Sequence, residues 1–142
     1  MFTLDPQLAN DTITLGKLPL CQVLLMNDSQ FPWLILVPMR ESISESYQLS
    51  ESDQTQLHQE SSTLSLLLVQ HYQGDKLNTA ALGNVVSQLH VHHIVRFRSD
   101  PAWPKPVWGN TPAVPYSKAQ LEQVCAELKT LFGAQLSGFY PA

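Results

Sequence analysis

Charge is scarce in this 142-residue sequence: Asp, Glu, Lys and Arg make up 14% of it, and 8 basic against 12 acidic residues leave a formal net charge of −4. No basic field exists to gather a nucleic-acid backbone, so a nucleic-acid partner is not expected. Cysteine is nearly absent. Cys21 and Cys125 are too few for a disulfide framework and lack the spacing of a metal knuckle, so both are read as buried thiols. Hydrophobic residues reach 44%, yet no uninterrupted apolar run attains membrane-spanning length, and no membrane segment is expected. The opening Met1-Phe2-Thr3-Leu4-Asp5 has no basic region, apolar stretch or small-residue cleavage site, which favours a cytoplasmic location. Glu41, Glu45, Glu51 and Asp53 belong to a polar connection and a helix start, not to a carboxylate pair spaced for glycoside chemistry.

What is present fits one α+β domain. Thr12–Leu15 and Leu20–Met26 read as strands able to pair as a hairpin, the second ended by the turn-forming Asn27-Asp28-Ser29. Trp33–Val37, between Pro32 and Pro38, is a continuous apolar strand of the kind covered on both faces, with Trp33 read as packing. Ser50 and Asp53 form a capping-box pattern, opening a helix that presents Leu57, Leu64, Leu67 and Leu68 to one side until Gly74. Its His58 and His71 are read as solvated or capping residues. The prolines between Pro101 and Pro115 exclude a central strand there, and Trp103 and Trp108 within that stretch suggest a lid or a subunit contact. A second capping box, Ser117 with Gln120, opens an amphipathic C-terminal helix expected to stop before Gly133.

The unusual segment is Leu89–Phe97, an apolar strand interrupted by imidazoles. Alternation puts Gln88, His90 and His92 on one face and Leu89, Val91 and His93 on the other, so His93 is read as structural. The bases of His90 and His92 stand roughly 6 to 7 Å apart, near enough for both rings to reach one phosphate. Spacing alone leaves open that both simply satisfy core hydrogen bonds. Gly83 and Asn84 just before the strand supply close backbone approach and an amide donor, and Arg96 ends the same face as a cation for phosphate oxygens. An imidazole can attack phosphorus as a neutral nucleophile while a neighbour carries a proton.

Residues Leu82–Arg96, reading LGNVVSQLHVHHIVR, resemble the signature of the histidine triad (HIT) family, and the order of elements over roughly residues 10–100 agrees. The resemblance implies a HIT-like antiparallel sheet with a long helix packed on it, a nucleotide-binding domain over residues 1–105, and residues 106–142 as an extension whose helix packs on the same domain. It implies that His90 is the nucleophile and that His92 contacts phosphate oxygens and helps the leaving group depart. Gln88 stands where the family has its first histidine; it can hydrogen-bond but cannot change protonation near neutral pH. Asn84 matches the polar residue beside the phosphate, Asn27 and Asp28 lie in the loop that meets the nucleoside, and Asn78 completes the nucleotide-contacting set. No metal and no cofactor are implied. The expected partners are a small nucleotide and a second copy of the chain in a homodimer.

The expected activity is hydrolysis or nucleotidyl transfer at a phosphoanhydride, phosphoester or phosphoramidate through a His90 intermediate. The alternative is a nucleotide-binding or sensing protein with little turnover. Because Gln88 supplies no proton, leaving groups that depart without one should suffer least, which places dinucleoside polyphosphates ahead of alkylamine phosphoramidates.

Overall fold

Strand-forming residues separated by turn residues set up a meander, which a later strand then joins. The computed structural model describes all 142 residues. Its elements are α1 (Pro6–Asp11), β1 (Thr12–Lys17), β2 (Cys21–Met26), β3 (Trp33–Pro38), a 3-10 turn (Ser46–Gln48), α2 (Glu51–Tyr72), β4 (Lys76–Ala81), β5 (Val91–Arg96), α3 (Lys118–Gln135) and β6 (Tyr140–Pro141). The strands form one antiparallel sheet in the order β4-β5-β3-β2-β1-β6. The expected hairpin is β1–β2, and its register shifts between Thr14 and Gly16. Only glycine suits position 16, because an added Cβ would lie 2.3 Å from the Tyr140 carbonyl oxygen where β6 passes.

Alternation along β3 divides the interior into two layers. Leu34 and Leu36 face α2 and α3, in a cluster with Leu64, Leu68, Leu128 and Phe132. Trp33, Ile35 and Val37 face the other way, with Leu8 of α1, Ile94 of β5, and Ala102 and Val107 of the segment after β5. Leu64 is fully buried, and truncating such a leucine to alanine typically costs about 2–5 kcal/mol. The α3 helix belongs to the first layer: Leu128 and Phe132 contribute to the same apolar cluster as β1, β2 and α2.

Caps decide where the helices begin. Ser117 and Gln120 close a reciprocal capping box on α3. At α2 only half of that pattern forms: Ser50 accepts the Asp53 amide, while the Asp53 carboxylate pairs with Arg40. The ends differ from expectation. Gln73, not Gly74, adopts the left-handed conformation after α2, and α3 runs through Gly133 to Gln135. Glu60 of α2, buried under the sheet, accepts the amides of Leu20 and Cys21 and the side chain of Gln56, tying helix to strand. Burial first, and then that carboxylate, push the Cys21 thiol far above its ordinary range. Cys125 is only half-buried, not buried as expected. No helix is long and apolar enough to cross a membrane.

Candidate functional site

The register of β5 against β3 sets the site. His92 lies opposite Ile35 and His93 opposite Leu34, so these adjacent histidines inherit opposite faces of the sheet. His93 faces α2, where its Nε2 meets the Ser61 hydroxyl at 2.7 Å and its Nδ1–H donates to the Val91 carbonyl at 3.0 Å. Fully buried, it is held neutral, its pKa lowered by burial to about 4. Its structural role follows from parity, as the sequence indicated.

His90 and His92 share the second layer, their rings inclined edge to face at 72° with centroids 4.9 Å apart. His90 Nδ1–H donates to the Gln88 carbonyl oxygen at 2.7 Å, which in the neutral ring leaves the lone pair on Nε2. His92 is oriented the other way round: the Trp33 indole N–H donates to its Nδ1 at 2.9 Å. Burial first, then the proximity of His90 and His93, lower the His92 pKa to about 3. Neither Nε2 has a protein hydrogen-bond partner.

Three clefts converge here. One, of about 410 Å³, is lined by both histidines together with Leu8, Asp11, Met26, Asn84, Val86 and Trp108. A second, of about 450 Å³, shares Asp11, Met26 and Trp108 with it and continues past Asn27, Asp28, Trp33 and Thr111. A third, of about 200 Å³, also borders His90 and Asn84 and continues past Ser44, Glu45 and Gln88. No Lys or Arg lines any of the three, whereas Asp11, Asp28 and Glu45 do. An anion bound there would rely on neutral donors: the His92 ring N–H and the exposed Asn84 amide.

The other expected residues divide. Asn27 and Asp28 line the second cleft, but Asn27 Oδ1 accepts the Tyr116 amide and Asp28 Oδ1 accepts the Val114 amide as well as Gln30, so both also seat the stretch from Val114 to Tyr116. Gln88 borders the third cleft, yet its side chain faces the N-terminal segment: Oε1 accepts the Asp5 amide at 2.8 Å and Nε2 donates to the Thr3 carbonyl at 2.9 Å. Asn78 borders none of the three clefts; its Oδ1 accepts from Arg96. Arg96 is not the phosphate cation expected. It is fully buried, bonded twice to Asp100 at 2.8 and 3.0 Å and placed over the Phe31 and Trp103 rings. His71 reaches Glu127 on α3 and lies outside the site.

Two contributors, the Trp33 indole N–H and Asp11, escaped the sequence reading, and Trp108, read as part of a lid or subunit contact, lines the site itself. Trp33 was assigned to packing alone, although a buried indole N–H needs an acceptor and β3–β5 pairing supplies His92. Trp108 walls two of the clefts, with its ring 5.1 Å from that of His92. Asp11 ends α1, a helix of 6 residues too short to show periodicity.

The site can be set beside known proteins. The profile of the HIT domain matches residues 7–99. A histidine triad protein from Marinobacter aquaeolei VT8 is 52% identical, covering 95% of this chain and 98% of its own, with a TM-score of 0.91. Histidine triad proteins from Bradyrhizobium japonicum and Sinorhizobium meliloti 1021 are each 43% identical, with TM-scores of 0.87 and 0.88. The first of these pairs covers 91% of this chain and 96% of the relative, and the second 96% and 98%. No curated protein matches the chain. With a matching profile across most of the sheet and a similar fold along nearly its whole length, the chain belongs to the HIT domain family.

Proposed function

We propose that the chain is a nucleotide hydrolase or nucleotidyl transferase that works through a covalent intermediate on His90. The observation that carries this reading is the His90 Nδ1–H bond to the Gln88 carbonyl, which leaves the Nε2 lone pair beside the His92 ring. In the first step His90 Nε2 attacks the α-phosphorus, forming a P–N bond as the bond to the leaving group breaks and that group departs with the electron pair. In the second, water attacks the same phosphorus, the P–N bond breaks, and the nucleoside monophosphate is released; an acceptor hydroxyl or amine in place of water gives transfer. His92 Nε2–H and the Asn84 amide donate to nonbridging oxygens as charge shifts in transfer. The cleft from Asp11 to Asn27 and Asp28 is sized for a nucleoside, with Trp108 beside it.

We further infer that Gln88 stands in place of the family's first triad histidine, so that the triad is incomplete. This supports the second reading, nucleotide binding without useful turnover, because the Gln88 amide is occupied by Thr3 and Asp5. Pairing of two copies belongs to the same proposal, with β4 available as an edge strand; sedimentation as a concentration-independent monomer would remove it.

The test is to incubate the protein with labelled adenine and guanine nucleotides, quench in mild base to preserve phosphohistidine, and map adducts by peptide mass spectrometry. A nucleotidyl group on His90, lost in His90→Ala and formed more slowly in His92→Ala, is expected. Binding without adduct or product selects the sensor reading, and an adduct on another residue overturns the mechanism.

A further inference from the structure

We propose that Trp33 is a positioning residue that locks His92 in its neutral Nε2–H form, making His92 a fixed hydrogen-bond donor and not a proton carrier. Indole has one N–H and no acceptor, so the 2.9 Å contact has a single sense: Trp33 donates and His92 Nδ1 accepts. A neutral imidazole that accepts at Nδ1 carries its proton on Nε2. Protonating His92 would place a second hydrogen on Nδ1, directly against the indole N–H, so the charged ring would have to break the bond or turn away.

The surroundings hold this arrangement. Trp33 is 7% exposed and His92 4%, and the indole sits in the second layer with Phe31 at 6.4 Å and Trp108 at 5.9 Å between ring centroids. Strand pairing leaves little freedom, because Trp33 opposes Ile94, two residues beyond His92 on the same face. The titratable groups beside His92 are His90 on its own strand and Asp11 across the cleft, with His93 next in sequence but on the other face. Burial acts in the same direction as the indole, holding the ring neutral.

On the nucleotidyl-transfer reading, a locked His92 offers Nε2–H to the transferring phosphoryl group throughout the neutral and mildly acidic range. It neither takes up nor releases a proton during the reaction. With Gln88 also unable to ionise, leaving-group protonation falls to solvent or to no group at all. The tautomer itself does not depend on that reading, and the two can fail separately.

The experiment is long-range proton–nitrogen correlation spectroscopy on protein labelled with nitrogen-15 in histidine, the His92 signals assigned by their loss in His92→Gln. The expected result is a proton on Nε2, an unprotonated Nδ1 at neutral pH, and no titration of His92 down to pH 5. In Trp33→Phe, which keeps an aromatic ring and removes the donor, both tautomers should be populated and the His92 titration midpoint should rise by about one pH unit or more. A proton on Nδ1 in the unaltered protein overturns the proposal, as does a Trp33→Phe spectrum with His92 unchanged. Should Trp33→Phe not fold, the tautomer of the unaltered protein still decides. If the tautomer is as expected but no nucleotide forms an adduct, the catalytic reading falls and the positioning role of Trp33 stands.

Discussion

Gln88 and His90 are joined through the backbone of residue 88, not its side chain: the Gln88 carbonyl accepts the His90 ring Nδ1–H at 2.7 Å while the Gln88 side-chain amide holds residues 3 and 5. The two functions of residue 88 are therefore separable by mutation. Gln88→Ala removes two side-chain hydrogen bonds, a loss of about 1–3 kcal/mol in all. The expected result is faster hydrogen exchange at the Asp5 amide and a lower melting temperature, with the His90 tautomer unchanged. Gln88→His should loosen the same segment, because one imidazole cannot reproduce an amide that donates and accepts at once. A faster turnover of poor leaving groups by Gln88→His, without loss of Asp5 protection, would contradict this.

Acid should weaken the fold through His92 and His93. Burial leads in lowering both, to about 3 and about 4 from an ordinary 6.5. Between those values and pH 6.5 the unfolded chain binds protons that the folded chain does not, so stability falls as pH falls. Each histidine contributes a slope of at most about 1.4 kcal/mol per pH unit within the window. Urea unfolding at pH 7, 6 and 5 should show this slope, and His93→Gln should flatten it.

The Arg96–Asp100 pair is a structural ion pair. Its side chains are 2% and 3% exposed, and Asp100 also accepts the amides of Phe97, Ala102 and Trp103. Burial alone would raise the Asp100 pKa, but the Arg96 guanidinium and the amides more than offset it and hold the carboxyl below its usual range. Asp100→Asn leaves a buried guanidinium without its counter-charge and should cost about 3–5 kcal/mol in urea unfolding. Arg96→Met with Asp100→Asn should cost less than the sum of the two single changes.

Much of this architecture was legible because its signals are local. Ser50 and Ser117 announce two helix starts, Asn27-Asp28-Ser29 a turn, and strand parity alone separates His92 from His93. The β4 strand was not legible: Lys76–Ala81 has little β-forming character and is extended because β5 pairs with it along its length. The α1 helix has its signal in Asp5, which caps it, and Pro6 at its first turn, but it is too short for hydrophobic periodicity. Arg96 was misread for a different reason. A cation on the histidine face suggests an anion site until Asp100, one helical turn's count further on, is seen to fold back onto it. Trp33 was misread because apolar strands call for bulky residues, and nothing within the strand says where its N–H is directed.

Trp108 should matter for binding more than for folding. It is 36% exposed, walls both large clefts and contacts the Trp33 and His92 rings. On the nucleotide reading, its loss removes an aromatic surface for a base, an interaction worth about 1–3 kcal/mol. Trp108→Ala should therefore weaken nucleotide binding by about 5- to 150-fold in titration calorimetry. Unaltered affinity would place the nucleoside elsewhere.

The leaving group offers the sharpest discrimination, since two features of the site act on it differently. Gln88 and a locked His92 supply no proton, so a leaving group must be stable as it departs, which disfavours an alkylamine. The clefts contain no Lys or Arg and include Asp11, Asp28 and Glu45, so a polyphosphate gains no charge-assisted hydrogen bond from a cation and meets carboxylates. Each such missing bond forgoes about 1.5–3 kcal/mol. The second effect counts against the dinucleoside polyphosphates that the first would favour. A nucleoside 5′-phosphodiester of an acidic phenol satisfies both conditions, because it leaves unprotonated and brings only one negative charge on the transferred phosphoryl group. The expected order of kcat/KM is nitrophenyl ester first, dinucleoside polyphosphate second and alkylamine phosphoramidate last, measured on one preparation with the same base. Adding Arg by Glu45→Arg should raise the polyphosphate selectively if its leaving group runs through the small cleft beside His90. A phosphoramidate hydrolysed fastest would show that some group in the site does deliver a proton, and would return His92 to the role of proton carrier.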